Sequence, residues 1–343
     1  MEPLAVARRF ATQREPRGAR ALAEGHINDT YIVDTDGADR YVLQRINSRV
    51  FVDPRAVARN TARVVAHIEA RTPGLVPRLV EARDGEPYVD ADREVWRMLA
   101  FIAGGEVRAP PLDLASARSA GAAFGRFQAA LVDYDATLHV APIAGFLELP
   151  PYLGKLDAVL VSGDARRRST ARDAIEAVEA RRAAAAALMA RGPLGVIHAD
   201  GKVNNLLFAC GESRVLAVLD LDTTMVGRRA WDFGDLVRSA AARGDEDARG
   251  LTLDLAPFAA LARGFREGLG DAFDADLRDA CVTAPRYLTF TLAVRFLVDY
   301  LDGDRYFKVD DPEHNLRRAR SQLSLAESEE RLEGDMESAL RGA

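Results

Sequence analysis

The chain has 343 residues, with 46 Lys+Arg against 52 Asp+Glu, a net charge of −6 and 48% hydrophobic residues. This is the make-up of a soluble globular protein with room for two or three compact units, and its mild acidity argues against a dedicated nucleic-acid binder. Apolar runs such as Ala183–Ala190 fall far short of the ~20 residues that cross a bilayer, the N-terminus lacks the apolar core of a secretory signal, and two distant cysteines, Cys210 and Cys281, support neither a disulfide framework nor a zinc site.

Residues 25–47 predict a hairpin. Tyr31-Ile32-Val33 and the run Tyr41–Ile46 are β-rich, and Asp34-Thr35-Asp36-Gly37 between them is turn chemistry. Asp53-Pro54 predicts a helix start, with Asp53 as the cap and Pro54 in the first turn. Residues 75–102 return to short strands that end in Val95–Ile102, and Gly104-Gly105 and Pro110-Pro111 then break the pattern. A boundary is expected there. Residues 1–103 form a small β-rich lobe and residues 104–343 a larger, mostly helical one, an α+β architecture. Helices are predicted over about 113–132, 170–191, 230–242, 254–268, 274–302 and 312–338, with an irregular stretch at 141–155. Short strands are predicted at 194–197 and 215–219. Arg166-Arg167-Arg168 reads as a solvated surface turn.

The informative segment is Val196-Ile197-His198-Ala199-Asp200-Gly201-Lys202-Val203-Asn204-Asn205-Leu206-Leu207-Phe208, a His-x-Asp-x-Lys-x-x-Asn loop between two apolar strands. A third apolar strand then ends in Asp220-Leu221-Asp222. Phosphoryl transfer from ATP needs this set. Asp200 meets the acceptor hydroxyl, Lys202 offsets charge on the transferred group, and Asn205 and Asp220 supply the oxygen ligands that suit Mg²⁺. His198 is expected to brace the loop, and Asp232 in Asp232-Phe233-Gly234 to act as a cap or brace rather than as the metal ligand.

With these motifs the chain resembles the aminoglycoside phosphotransferase/choline kinase superfamily, and within it the N-acetylhexosamine 1-kinases. The closer resemblance rests on three stretches: Gly25–Tyr31 with Tyr41–Asn47; Asp200–Asn205 with Val218–Thr223 and Asp232–Asp235; and Arg295–Lys308 with His314–Arg320. It implies a protein-kinase-like fold of two lobes and a cytoplasmic enzyme that uses ATP and Mg²⁺ on the anomeric hydroxyl of a small sugar. A monomer without nucleic-acid or membrane partners is expected. On the nucleotide side the resemblance implies that Gly25, Asn28 and Thr30 fold over the phosphates. Arg45 is expected to grip them and Leu43, on the same face, to contact adenine, with Gln44 as the alternative register. The run Leu99–Ile102 resembles an inter-lobe hinge, so Ala100 and Ile102 are expected to read adenine. The second helix offers only Glu69 as an acid after its cap, so a Lys–Glu pair is not expected.

On the acceptor side the resemblance implies that His26, Arg295 and Tyr306 join Asp200 in the sugar pocket. An Arg295–Asp299 ion pair is the structural alternative. Three places depart from the family pattern. Gly201 stands where threonine is usual, Ser239 lies where an aromatic is expected, and Phe146–Pro150 replaces a more polar stretch. These departures leave the acceptor open. N-acetylglucosamine or N-acetylgalactosamine is the expectation, another hexose, an aminoglycoside or a choline-like alcohol the alternative, and a catalytically silent nucleotide-binding protein a third.

Overall fold

Alternating apolar residues pair the first strands into a sheet whose two faces differ. The computed structural model describes residues 1–22, 27–244 and 250–343. After a short helix α1 (Pro3–Ala7), strands β1 (Pro16–Leu22), β2 (Asp29–Thr35) and β3 (Arg40–Arg45) meander antiparallel. Helix α2 (Pro54–Glu69) follows, and Asp53 caps it by accepting the Ala56 amide at 3.0 Å. Strands β4 (Leu79–Val80), β5 (Val89–Ala91) and β6 (Glu94–Ala100) complete a sheet ordered β1-β2-β3-β6-β4, with β5 on β6. Leu43, Val33, Trp96 and Met98 fill a core on one face of this sheet.

The next strand, β7 (Gly105–Val107), already pairs elsewhere, with β9 (Leu206–Ala209), which also pairs with β10 (Val215–Val218). Strand β8 (Leu194–Ile197) pairs with β11 (Met225–Arg228) rather than with its chain neighbours. The catalytic-motif loop therefore passes from one small sheet to another. Around them lie α3 (Leu114–Ala130), α4 (Leu149–Ser162), α5 (Ala165–Thr170), α6 (Arg172–Leu188) and α7 (Ala230–Ala240). After a two-stranded ribbon of β12 (Ala242–Arg243) and β13 (Thr252–Leu253) come α8 (Leu255–Leu269), α9 (Ala275–Leu301), α10 (His314–Arg331) and α11 (Glu333–Gly342).

Close backbone approach binds α3 to α8. A Cβ on Gly121 or Gly125 would stand 2.2–2.3 Å from carbonyl oxygens of α8, so only glycine fits. Helix α9 is long and apolar enough to cross a membrane, yet it is the central core helix, packed by α4, α6, α7 and α10.

Three elements differ from expectation. The stretch expected to be irregular holds α4, because Pro150 and Pro151 sit in its first turn, where no amide is needed. The helix expected over 170–191 is α6, and a short helix that was not expected, α5, precedes it across Ala171. The last helix is likewise broken at Leu332.

Candidate active site

The loop after β8 is held by a buried carboxylate. Asp232, at the start of α7 and fully buried, accepts the backbone amides of His198 and Ala199, each at 2.9 Å, and the Gln128 side-chain amide. These charge-assisted bonds hold Ala199 at φ +62°, a conformation that alanine rarely adopts. His198 is also fully buried. Its Nε2–H donates to the Leu219 carbonyl at 2.8 Å, its Nδ1 accepts the Asp200 amide at 3.3 Å, and its ring stands edge-on to Phe124 and Phe127. It ties the loop to the strand that ends in Asp220.

This packing explains two of the sequence departures. A Cβ at Gly201 would lie 2.6 Å from the Asp232 carbonyl oxygen, so threonine does not fit. Ser239 accepts the Val203 amide at 3.2 Å and so supports the loop from below.

Asp200, Lys202 and Asn205 converge. The Lys202 ammonium lies 2.8 Å from Asp200, and the Asn205 side-chain amide donates to the Asp200 carboxylate at 2.9 Å and to its carbonyl at 2.8 Å. Burial pushes the Asp200 carboxyl up, but the Lys202 charge more than reverses this, and the net shift is downward. Burial likewise lowers the Lys202 ammonium, which Asp200, Asp235 and Asp220 together hold above its usual value. Asp200 is therefore ionised at neutral pH and keeps about 20% of its side chain exposed toward the cleft.

Asp220 sits in left-handed backbone, φ 58° and ψ 65°, two residues beyond the end of β10. Enclosure by the surrounding protein, then the charges of Asp222 and Asp200, push its carboxyl up to about 6, although water reaches it from the cleft. A carboxylate crowded by two others is a place that favours a cation. Asn205 turns its amide nitrogen to Asp200 and keeps its carbonyl oxygen available. The residues present thus fit a hard divalent ion held by Asp220 and Asn205. Among the described residues no group of three or more His, Cys, Asp or Glu forms a metal cage, so phosphate oxygens and water would complete the shell.

On the sheet the expected register is reversed. Leu43 is fully buried in the core on the far face, with Arg45 beside it, half-exposed and paired with Asp29 over Trp96. Neither faces the loop. The opposite face carries Thr30, Gln44 and Arg97, and Gln44 donates to Thr30 at 3.3 Å. The cation there is Arg97, only 1% exposed. It donates to Gln44 at 2.8 and 3.0 Å and to Thr61 of α2 at 3.0 Å, and it pairs with Asp222. Asn28 donates to the other Asp222 oxygen at 2.6 Å and accepts the Asn47 amide, so its side chain is engaged within the protein.

The structure thus has the alternative register, with Gln44 on this face, and adds Arg97 and Asp222, which sequence reasoning missed. Glu69 is turned away, accepting the Gly74 amide. At the strand end, the Ala100 amide is bonded to Arg78 and the Phe101 amide to Arg40, while among the described residues nothing accepts the Ile102 amide. Gly25 and His26 lie outside the described residues.

On the other flank, Arg295 is enclosed by four rings. Its guanidinium carbon lies 4.9 Å from the Phe146 centroid, 5.3 Å from Tyr152, 5.8 Å from Tyr306 and 5.5 Å from Phe307. The ion pair with Asp299 does not form. That carboxylate instead accepts the amides of Arg305, Tyr306 and Phe307. Among the described residues Arg295 has no hydrogen-bond or ion-pair partner. Two surface cavities, of about 320 and 250 Å³, are lined by other residues, the first around Arg191 and Asp276 and the second around Asp173 and Arg320.

Comparison with known proteins agrees with this geometry. The sequence model of the phosphotransferase enzyme family, APH, matches residues 18–281. The fold is similar to that of an aminoglycoside phosphotransferase from Alicyclobacillus acidocaldarius, with a TM-score of 0.70, 14% identity, and coverage of 100% of this chain and 97% of that one. It is also similar to a microcompartment-associated aminopropanol kinase, with a TM-score of 0.66, 18% identity, and coverage of 96% and 97%. A third similar structure is the amicoumacin kinase hAmiN in complex with AMP-PNP, Ca²⁺ and Ami, with a TM-score of 0.61, 14% identity, and coverage of 94% and 92%. The architecture is thus protein-kinase-like, a sheet followed by a helical region with the Asp200 loop between small sheets, and the chain belongs to the phosphotransferase enzyme family.

Proposed function

We propose that the enzyme transfers the γ-phosphoryl group of ATP to the anomeric hydroxyl of a hexosamine, N-acetylglucosamine or N-acetylgalactosamine. Asp200 accepts or orients the hydroxyl proton. An anomeric hydroxyl is more acidic than an ordinary alcohol, so a carboxylate held ionised is an adequate partner. Lys202, beside it, meets the negative charge that develops on the phosphoryl oxygens. Asp220 and Asn205 hold the divalent ion, which when bound neutralises the phosphates. The Ile102 amide and Val42, on the same sheet face as Gln44, receive the adenine. The nucleotide complex of hAmiN is in keeping with such a donor.

The observation that carries the acceptor assignment is the state of Arg295. A guanidinium with no counter-ion among the described residues repels a cationic acceptor and offers donors to hydroxyl or acetamido oxygens, while Tyr306 and its neighbours offer faces for a sugar ring. The acidic residues nearby do not reverse this. Asp299 is engaged by backbone amides, Asp304 by Arg167 and Asn315, and Asp311 by Arg317.

A screen of ADP release over N-acetylhexosamines, free hexoses, amino alcohols and aminoglycosides tests the reading. Turnover with an N-acetylhexosamine is expected. Turnover confined to choline, aminopropanol or an aminoglycoside would replace it, and ATP binding without transfer to anything would end it.

A further inference from the structure

The basic run Arg166-Arg167-Arg168 reads from sequence as a solvated turn, yet only Arg166 is exposed, and Arg167 and Arg168 are half-buried. Arg167 reaches across to the C-terminal end of α9. Its Nη1 donates to the Tyr300 carbonyl at 2.5 Å and to Asp304 Oδ2 at 2.6 Å, and its guanidinium lies 4.8 Å from the Tyr300 ring centroid. A cation here meets the last-turn carbonyls and the negative end of a 27-residue helix. The turn between α4 and α5 is pressed onto the same corner. A Cβ on Gly163 would lie 2.5 Å from the Val159 carbonyl oxygen and 3.2 Å from that of Leu301.

From Asp304 the bonding continues inward. Its side chain is 6% exposed, its φ is +59°, and its other oxygen accepts the Asn315 side-chain amide at 2.9 Å. Asn315, fully buried, also donates to Asp299 at 2.9 Å. Asp299 Oδ1 accepts the Arg305 amide at 2.9 Å and the Tyr306 amide at 2.8 Å, and its Oδ2 accepts the Phe307 amide at 2.9 Å. Three successive amides on one carboxylate fix the backbone of the segment that presents Tyr306 and Phe307 to Arg295. Tyr306 itself is 63% exposed, so packing alone does not hold it.

We propose that Arg167 is a positioning residue for the acceptor pocket: through Asp304, Asn315 and Asp299 it orders the 302–308 loop and so sets Tyr306 and Phe307 around Arg295. This rests on the reading that Arg295 and Tyr306 face the acceptor. Arg167 touches no substrate. It clamps the segment between α4, which supplies Tyr152, and α9, which supplies Arg295, so that the parts of the aromatic enclosure keep one geometry.

The test compares Arg167→Met and Arg167→Lys with the parent enzyme by amide hydrogen exchange, which needs no acceptor. Loss of a charge-assisted bond predicts exchange about tenfold faster at Arg305, Tyr306 and Phe307 in Arg167→Met, with partial recovery in Arg167→Lys. The amides of Asn205 in the catalytic loop and of Leu219 just after β10 should stay within about twofold, which separates a local effect from general unfolding. Unchanged exchange at 305–307 in Arg167→Met would overturn the proposal.

Steady-state kinetics with N-acetylglucosamine give the second arm. The acceptor KM should rise about tenfold in Arg167→Met while the ATP KM holds. If Tyr306→Ala raises the acceptor KM and Arg167→Met does not, the positioning role is wrong. If neither variant changes it, the acceptor-site reading itself is wrong, whatever the exchange data show of the loop.

Discussion

The two flanks of the catalytic loop solve opposite electrostatic problems. On the sheet side, Arg97 and Asp222 are both almost fully buried, and Gln44, Thr61 and Asn28 satisfy their remaining polar atoms. On the helical side, Arg295 has rings around it and no ionic partner among the described residues. The first arrangement suits a donor that brings several negative charges and a metal, because the protein's own charges are balanced and fixed beforehand. The second suits, on the reading proposed above, an uncharged acceptor that needs a face and a free donor. One cation is locked as a strut between the sheet, α2 and the Asp220–Asp222 segment, and the other has no such partner among the described residues.

The largest expected effect separates chemistry from donor binding. Asp200→Ala should lower transfer by about 10³-fold while Mg-ATP affinity stays within a few-fold, because on the proposed reading Asp200 meets the acceptor hydroxyl. Asp220→Ala should instead weaken Mg-ATP binding. Isothermal titration of both variants with Mg-AMP-PNP checks this, and equal losses would erase the distinction between the two carboxylates.

The next prediction sets the two arginines against each other. Arg97→Met strands Asp222 as a buried unpaired charge and should cost about 3–5 kcal/mol in denaturant unfolding. Arg295→Met keeps the apolar packing and should leave stability within about 1 kcal/mol while raising the acceptor KM. Similar stability losses in both would dissolve the contrast.

A pH series probes the metal flank. The proton on Asp220 competes with the divalent ion, and because enclosure and neighbouring charges raise this carboxyl to about 6, the apparent Mg²⁺ requirement should rise about tenfold per pH unit below that value. The sign is fixed by the upward shift. A carboxyl at its ordinary 3.8 would give no such dependence between pH 5 and 6.

The smallest effect lies away from both flanks. Glu329 of α10 is buried, with one oxygen accepting from Thr289 at 3.3 Å, and burial pushes its carboxyl up to about 8 from 4.5. The folded state therefore keeps a proton that the unfolded chain releases, and stability falls as pH rises through that interval. Glu329→Gln should flatten the decline by about 2 kcal/mol between pH 6 and 8 in thermal or denaturant melts.

What was legible in the sequence was local. Asp200, Lys202 and Asn205 fall within six residues, so the chemistry is compressed into one loop, and the structure does bring these three together. The bracing roles of His198 and Asp232 were also readable, since a buried loop of strained backbone needs fixed partners.

The register of β3 was not readable. Alternation states that Leu43 and Arg45 share a face, but both faces of this sheet are covered, and nothing local says which one meets the loop. Arg97 was hidden in an apolar run because its partner, Asp222, lies far away in sequence. Helix α4 was masked by Pro150 and Pro151, which favour its first turn as much as they would a loop. Arg167 looked solvated because its anchor is the distant end of α9.

The most direct measurement of the central claim is phosphorus NMR of the product formed from ATP and N-acetylglucosamine. A phosphorus signal split by the single anomeric proton is the result expected for transfer to the 1-hydroxyl. A signal split by two methylene protons, as from a primary alcohol, would contradict the account.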